Sequence, residues 1–549
     1  MSTLDFPKFD TLKELTRCVA ERYADEIAFI VPPGGGEDTD KSFRAFAADV
    51  DAFGTALFAR GLRGCSVAIL GGNSYEWIVA YFAAVNGGCT VVPLDRDWPA
   101  GDLAPLLEKS GCAALVYAPK YEAMLPLLSE GTGLRLCIST DEMALVIEDG
   151  RQRLEAGDDA YITCDPLPET PAVIVYTSGT TGDSKGVMLT HSNLTTNAVS
   201  ISRMITCMGR GVLVLPLHHT FGMMAGVIIP MLFGASNYIS RSVMSLQKDI
   251  EKTKATMVFL VPAVLENIYK RIWASAEHAG DTEKLQRGLK LSRSLTKKHI
   301  DARRRIFKDV LDAFGGELNM IVCGGAPLNP QIADDFCAMG IDLLNGYGIT
   351  ECSPVVSVNP NHPRNKVGST GLPLDCCSVR IAGADKKGIG EIQVQGSNVM
   401  PGYYGNEQAT RETFTEDGWF KTGDLGRLDE DGYLFVTGRI KNLIILSNGK
   451  NVSPEELEIK VIRIPGVEET SVYEEDDLIA AEIYAGTERE PETEESIRGA
   501  VREMNRGLPV YKHIERVKFR DTEFPKTTTM KIKKHPKQKK IPEASLSKR

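Results

Sequence analysis

The stretch YTSGTTGDSKGVMLTH, residues 176–191, gathers hydroxyls, glycines and one lysine into a few positions. An apolar run, PAVIVYT (171–177), leads into it and reads as a buried strand. Gly179 and Gly182 allow the backbone to turn sharply and to approach a ligand closely. Ser178, Thr180, Thr181 and Ser184 offer hydroxyl donors beside backbone N–H groups, and Lys185 adds a positive charge. Such a loop suits phosphate oxygens. It is not a Walker A loop, because Gly186 and not Ser or Thr follows the lysine, and the chain has no GxGxxG. On composition alone, a polar surface loop is an equal reading.

Stepping out from the loop, short apolar runs alternate with helical patterns over the first 440 residues. VAIL (67–70) and TVVPL (90–94) read as buried strands, and WIVAYFAAVNGG (77–88) as the helix between them, stopped by Gly87-Gly88. NMIVCGG (319–325) is a further strand entering a glycine-rich turn. This alternation predicts α/β architecture. Residues 265–314 are rich in Lys and Arg at helical spacing and predict a solvated helical insertion. Near residue 440 the character changes: GYLFVTGRIKNLIILSNGKNVSPEELE (432–458) predicts strand, turn, strand and a helix capped by Ser453. The remainder to about 523 reads as a small α/β domain, with GTEREPETEES (486–496) as an exposed acidic loop.

The length of 549 residues demands more than one core. A formal net charge of −10 disfavours a nucleic-acid binder. The twelve cysteines form no CxxC, so they read as reduced thiols and not as zinc ligands or a disulfide scaffold, which predicts a cytoplasmic protein. MSTLDFPKFD has no signal-peptide character. Residues 211–240 carry no Lys, Arg, Asp or Glu, yet His218, His219, two prolines and four glycines argue for strand and helix around an apolar pocket over a membrane span. Residues 526–549 hold eight Lys and one Arg against one Glu, a frayed basic terminus or a weak attraction to an anionic membrane surface or polyphosphate.

The full string YTSGTTGDSKGVMLTH closely resembles the phosphate-loop signature of the AMP-forming adenylate synthetase superfamily, with Ser184 where a proline is usual. NGYGITE (345–351), GWFKTGDLGRLDEDGYLFVTGRIK (418–441), LSNGKNVSPEELE (446–458) and FPKTTTMKIKK (524–534) resemble further signatures of that superfamily, in its order. The insertion ahead of GGAPL (324–328) resembles long-chain fatty acyl-CoA synthetases. The resemblance implies a large N-terminal domain (1–438) of mixed sheets flanked by helices plus a small β-barrel, a hinge (439–441), a small mobile C-terminal α/β domain (442–535) and a basic tail (536–549). It implies ATP, Mg2+ and coenzyme A as cofactors and co-substrates, a fatty acid as substrate, and acyl-CoA, AMP and pyrophosphate as products. A separate acyl carrier protein as acceptor, an aryl acid as substrate and peripheral membrane association stay open.

Residue by residue, the resemblance implies phosphate contacts from Thr177, Ser178, Gly179, Thr180, Thr181, Gly182 and Lys185. Gly324, Gly325, Ala326, Asn345, Gly346, Tyr347 and Gly348 would surround adenine, with Tyr347 stacked on the base. Thr350 would donate to the α-phosphate and Glu351 would hold magnesium. Asp424 would accept from both ribose hydroxyls, reinforced by Arg439, and Lys441 would be the hinge. Lys531 would bridge the carboxylate and the α-phosphate, although Met530 precedes it where glycine is usual and Lys526 lies nearby. LPLHHTFGMM (215–224) resembles the acid-substrate segment; His219 and Gly449 would line the coenzyme A channel. An acidic residue suited to a substrate ammonium is absent from that segment, so an uncharged acyl chain is expected.

Overall fold

A computed structural model describes residues 6–33, 36–177, 184–207, 209–447, 450–487, 490–527 and 532. The chain forms two compact units: residues 1–378 with 394–420, and residues 379–393 with 421–549.

The larger unit holds two sheets. In the first, six strands run in the order Leu136–Ser139, Cys112–Tyr117, Ser66–Leu70, Thr90–Leu94, Pro171–Thr177 and Lys185–Thr190. The first five are parallel, and the last folds back antiparallel on its neighbour. Its central strands are continuous Val, Ile and Leu runs with both faces covered, as parallel strands require. The helix Tyr75–Asn86 connects two of them. Ser74 caps its start by accepting from the Trp77 N–H, and Gly88 at φ +72° ends it. The second sheet has nine strands, from Leu372–Pro373 through Val355–Val358, Asp342–Gly348, Met320–Cys323, Met257–Leu260, Arg210–Leu213, Ser236–Ile239 and Ile27–Val31 to Thr39–Ser42. Its six middle strands are parallel.

Residues 211–240 are strand, a helical run over 220–232 and strand, all largely buried. Among the described residues no helix is long and apolar enough to cross a membrane. The basic stretch forms the helices Pro262–His278 and Thr282–Lys297 and two short turns of helix. They are anchored by a small core of Leu285, Leu289, Phe307, Ala338 and Met339.

The smaller unit takes most of a four-stranded sheet (Cys377–Ala382, Gly390–Gly396, Phe420–Leu428, Leu434–Arg439) where the small barrel was expected. It also contains a three-stranded sheet (Glu469–Glu475, Leu478–Tyr484, Ile514–Arg520) packed with helices Pro454–Val461 and Pro491–Arg506 around Val452, Leu457, Val472, Ile483 and Ile497. Two sequence expectations are corrected here. Ser453 stands at the N-cap but makes no capping bond; its hydroxyl donates to the Thr437 carbonyl at 2.9 Å and to Glu455 at 3.0 Å instead. Residues 491–496 are the first turns of a helix and not loop, because Pro491 presets φ at N1 and Glu492 and Glu494 favour the positive helix end.

Two buried groups link this packing to pH in opposite senses. His191 accepts a hydrogen bond from the Leu12 N–H at its Nδ1, and burial lowers its pKa to about 4. The unfolded chain therefore takes a proton near pH 6.5 that the folded chain refuses, and stability falls as pH drops from 6.5 to 4. Burial pushes Glu266 up to about 7, so its contribution is lost as pH rises from 4.5 to 7. The two offset one another in the intact protein. In His191→Asn, which keeps an acceptor for Leu12, the His191 term of about 3 kcal/mol disappears. Melting temperatures at pH 7 and pH 4.5 are expected to show the variant gaining on the wild type by several degrees at the lower pH. An unchanged gap refutes the linkage.

Candidate active site

The parallel strands of both sheets in the larger unit end in turns that carry the candidate residues. Pro171–Thr177 runs into the glycine-rich loop, and Lys185–Thr190 leaves it. Tyr176 pairs with Gly186 and Thr177 with Lys185, so the loop is the tip of an antiparallel hairpin. Residues 178–183, hence Ser178, Gly179, Thr180, Thr181 and Gly182, lie outside the described residues. Thr177 and Lys185 stand at its two ends, and Lys185 Nζ lies 4.8 Å from the centre of the Tyr403 ring.

Tyr403 is the residue that the sequence reading missed. Its hydroxyl donates to Glu351 Oε1 at 2.9 Å while its ring carries Lys185. The segment around it is stapled to both neighbours. The Met188 N–H donates to the Gly402 carbonyl at 3.2 Å, the Tyr404 N–H to the Gly186 carbonyl at 2.7 Å, and the Met400 N–H to the Glu351 carbonyl at 2.9 Å. Tyr403 therefore fixes the loop lysine and the candidate metal carboxylate in one arrangement. Burial, followed by the Glu351 charge, raises its pKa and keeps the phenol a donor. The signal was present as MPGYYGN, but a tyrosine among turn residues has no chemistry until its partners are known.

Thr350 and Glu351 sit in a single 3-10 turn, Thr350–Cys352. Ser353 follows in the left-handed region at φ +70°, its hydroxyl donating to the Asn398 carbonyl at 2.8 Å. Asn398 Nδ2 in turn donates to the carbonyls of Cys352 and Val355. A magnesium ion takes oxygen ligands and keeps several waters, with one or two protein carboxylates and the substrate phosphates. Glu351 fits: a carboxylate has about four acceptor sites, and one bond from Tyr403 leaves capacity for a cation.

Asn345, Gly346, Tyr347 and Gly348 occupy the end of strand Asp342–Gly348, where it pairs with Val355–Val358, Tyr347 opposite Ser357. Asn345 Nδ2 donates to the Ser369 carbonyl at 3.1 Å. A Cβ at Gly348 would lie 2.1 Å from the Pro354 carbonyl oxygen, so this glycine serves the hairpin itself, beyond any room for a base. Gly324 is buried, with the Phe221 ring 3.3 Å from where its Cβ would be; Gly325 takes φ +90°, and Ala326 is half-buried. The turn of 324–326 thus lies against the segment 215–224.

In that segment His218 is buried and His219 half-buried, with ring centres 4.2 Å apart. Asn73 clamps the approach: its amide donates to the Leu215 carbonyl at 2.8 Å and accepts from the Leu217 N–H at 3.1 Å. Burial holds the His218 pKa well below the imidazole range, helped by the neighbouring His219 and Arg96. A narrow apolar cavity opens beside the pair, walled by Val173, Val175, Leu194, Leu217, Met223 and Met224.

In the smaller unit, Asp424 and Arg439 are opposite one another across two strands, with Nε 2.8 Å from Oδ1. The Asp424 side chain is only 3 % exposed while Arg439 is 44 % exposed. Lys441 lies in the 3-10 turn Ile440–Asn442 directly after that strand. Gly449 and Lys531 lie outside the described residues. The rival lysine, Lys526, is paired with both Glu469 (2.5 Å) and Glu523 (2.8 Å).

The profile of the family described as AMP-binding enzyme matches residues 17–404. The chain belongs to that family. It is 30 % identical over 429 residues to a feruloyl-CoA synthase of an Amycolatopsis species, a match covering 76 % of this chain and 77 % of the relative. It is 31 % identical over 456 residues to a long-chain-fatty-acid–CoA ligase of Mycobacterium bovis, covering 76 % and 73 %. A Mycobacterium tuberculosis fatty acyl CoA synthetase structure superposes with a TM-score of 0.67 at 23 % identity, over 96 % of this chain and 97 % of that one. The α/β fold is that of adenylate-forming enzymes.

Tyr403→Phe keeps the ring over Lys185 and removes only the bond to Glu351. A hydrogen bond to a charged group contributes about 1.5–3 kcal/mol. Acid-dependent pyrophosphate release is expected to fall by about tenfold or more, with a rise in the magnesium concentration for half-maximal rate. A Phe variant with wild-type magnesium dependence removes Tyr403 from the site.

Proposed function

We propose that the protein is an AMP-forming acid–CoA ligase acting on an uncharged, apolar carboxylic acid, most simply a medium- or long-chain fatty acid. The observation that carries this is the cavity beside His218 and His219. Its walls are apolar, and among its lining residues there is no acid or lysine to pair with a second charge. Met223 and Met224 are unbranched and can yield to a longer chain.

In this reading the acid carboxylate attacks the α-phosphate of ATP; the bond to pyrophosphate breaks and acyl-adenylate forms. The thiol of coenzyme A then attacks the acyl carbon, giving the thioester and releasing AMP. Lys185 and the loop hydroxyls hold the outer phosphates. Many neutral donors with one lysine grip pyrophosphate without trapping it. Glu351 would hold magnesium, whose charge offsets that of the departing pyrophosphate. Thr350 would donate to the α-phosphate. Asp424, buried and aligned by Arg439, would accept from the ribose hydroxyls. Lys531 would stabilise charge at the attacked phosphate; Lys526 is the weaker candidate because two carboxylates already hold it. Lys441 would be the hinge on which residues 442–535 turn between the two steps.

The aryl-acid reading draws on the feruloyl-CoA synthase relative, and the same assay separates it. Pyrophosphate release is measured across straight-chain acids of increasing length and across cinnamic-type acids, with and without coenzyme A. A medium or long fatty acid is expected to give the highest kcat/KM, with thioester only when coenzyme A is present. Release without consumption of coenzyme A points to a carrier-protein acceptor. Preference for an aryl acid overturns the fatty-acid reading. Lys531→Ala should lose roughly 10²–10³-fold in adenylation, the scale for a group acting on transition-state charge, while Lys526→Ala should lose far less; the reverse order reassigns the lysine. Met224→Trp, which fills the cavity, should raise KM for long acids more than for short ones.

A further inference from the structure

Asp95 follows directly on the last residue of strand Thr90–Leu94, and it meets His218 and His219. The donor atoms of the three side chains all lie within 4.8 Å of one another. His218 Nε2 is 3.5 Å from Asp95 Oδ1. That is longer than a hydrogen bond, about 2.7–3.2 Å. Nε2 has no hydrogen-bond partner, although the His218 side chain is only 4 % exposed. A buried polar atom left so is destabilising unless something outside the chain satisfies it. The same separation is what two ligands of one tetrahedral zinc ion show, since bonds of about 2.0–2.2 Å place donors roughly 3.3–3.5 Å apart.

We propose that Asp95, His218 and His219 form a binding site for a divalent transition-metal cation of the zinc type, separate from the magnesium carboxylate Glu351. Two imidazoles and one carboxylate favour zinc, cobalt or nickel over magnesium, which takes oxygen ligands. The frame is built to hold them. The Asp97 N–H donates to Asp95 Oδ1 at 3.0 Å and orients that carboxylate, while Asn73 fixes the strand end that carries the histidines. Arg96 is a nearby charge that opposes a cation, and its Nε lies 3.9 Å from Asp97 Oδ1. Three protein ligands leave one coordination position open.

His218 and His219 also line the apolar cavity, so an ion they held would sit at its wall. Resting on the reading that this pocket admits the acid, a bound ion would capture the carboxylate there and hold it away from the α-phosphate. Zinc then acts as an inhibitor that competes with the acid and not with ATP.

The test uses the full chain freed of metal by a chelator and titrated with Co2+, with Zn2+ as competitor. One equivalent is expected to bind with visible d–d absorption of a nitrogen and oxygen site. Asp95→Asn and His218→Asn should each weaken binding by about 10–100-fold, with melting temperatures taken first to confirm that both are folded; His218→Gln replaces any variant that is not. No binding, thiolate-to-cobalt charge transfer from the free cysteines, or affinity unchanged in the variants overturns the site. Steady-state rates then read its consequence. Zn2+ should raise KM for the acid with little change in kcat, and Asp95→Asn should abolish the effect. Binding without any effect on KM leaves the metal site standing and refutes the acid-pocket placement.

Discussion

The hydrogen bond from Tyr403 to Glu351 is the contact on which the arrangement of the larger unit's candidate site depends. The hairpin that carries Lys185 belongs to the six-stranded sheet, and Glu351 follows a strand of the nine-stranded sheet. Among the described residues no ladder joins those two sheets. The segment 400–404 supplies the tie, with backbone bonds to Gly186 and Met188 on one side and to Glu351 on the other. A side chain that donates to a carboxylate and carries an ammonium on its ring fixes both charges at once, which backbone bonds alone cannot do.

Parallel sheets impose a second constraint. Every strand ends on the same edge, so backbone groups that leave the ladder there need new partners. The turns after Leu70, Leu94, Leu213 and Cys323 each solve this locally. Asn73 satisfies Leu215 and Leu217, the Asp97 N–H finds Asp95, and Gly324 and Gly325 turn where side chains would collide with Phe221 or strain the chain. One of these turn residues, Leu217, then lines the cavity, directly before His218 and His219. Site and fold are therefore not independent here, and substitutions at Asn73 would disturb both.

Much of this was legible in the sequence because the signals were local. Continuous apolar runs bounded by glycine gave the strands at 67–70, 90–94 and 171–177 to within a residue, since burial on both faces leaves little else for them to be. The helix 75–86 was legible from its stop at Gly87-Gly88. Asp424 and Arg439 were picked separately, and they meet because a hairpin makes residues equidistant from its turn opposite one another. What stayed hidden was nonlocal. Ser453 has the type and position of a cap, yet the Thr437 carbonyl, brought in by the preceding strand, takes its hydroxyl. Tyr403 is 52 residues from Glu351, and Asp95 is more than a hundred from His218, so no spacing rule relates them.

The histidine pair shows how far type alone can mislead. Read by itself, His219 is a polar group near an acid, and His218 its incidental neighbour. In the fold His218 is the more buried of the two and the one whose ring nitrogen lacks a partner. Its Nε2 stands 3.5 Å from Asp95 Oδ1, beyond an ordinary hydrogen bond. A neutral imidazole carries its proton on one ring nitrogen, and where Nδ1 holds it Nε2 is free to accept from a donor or to bind a cation. In that tautomer Nε2 and the Asp95 oxygen 3.5 Å away are both acceptors, and a group between them must offer a proton or positive charge. A proton, a water or a metal ion could fill that place; the third ligand at His219 and the carboxylate oriented by Asp97 are what favour the metal.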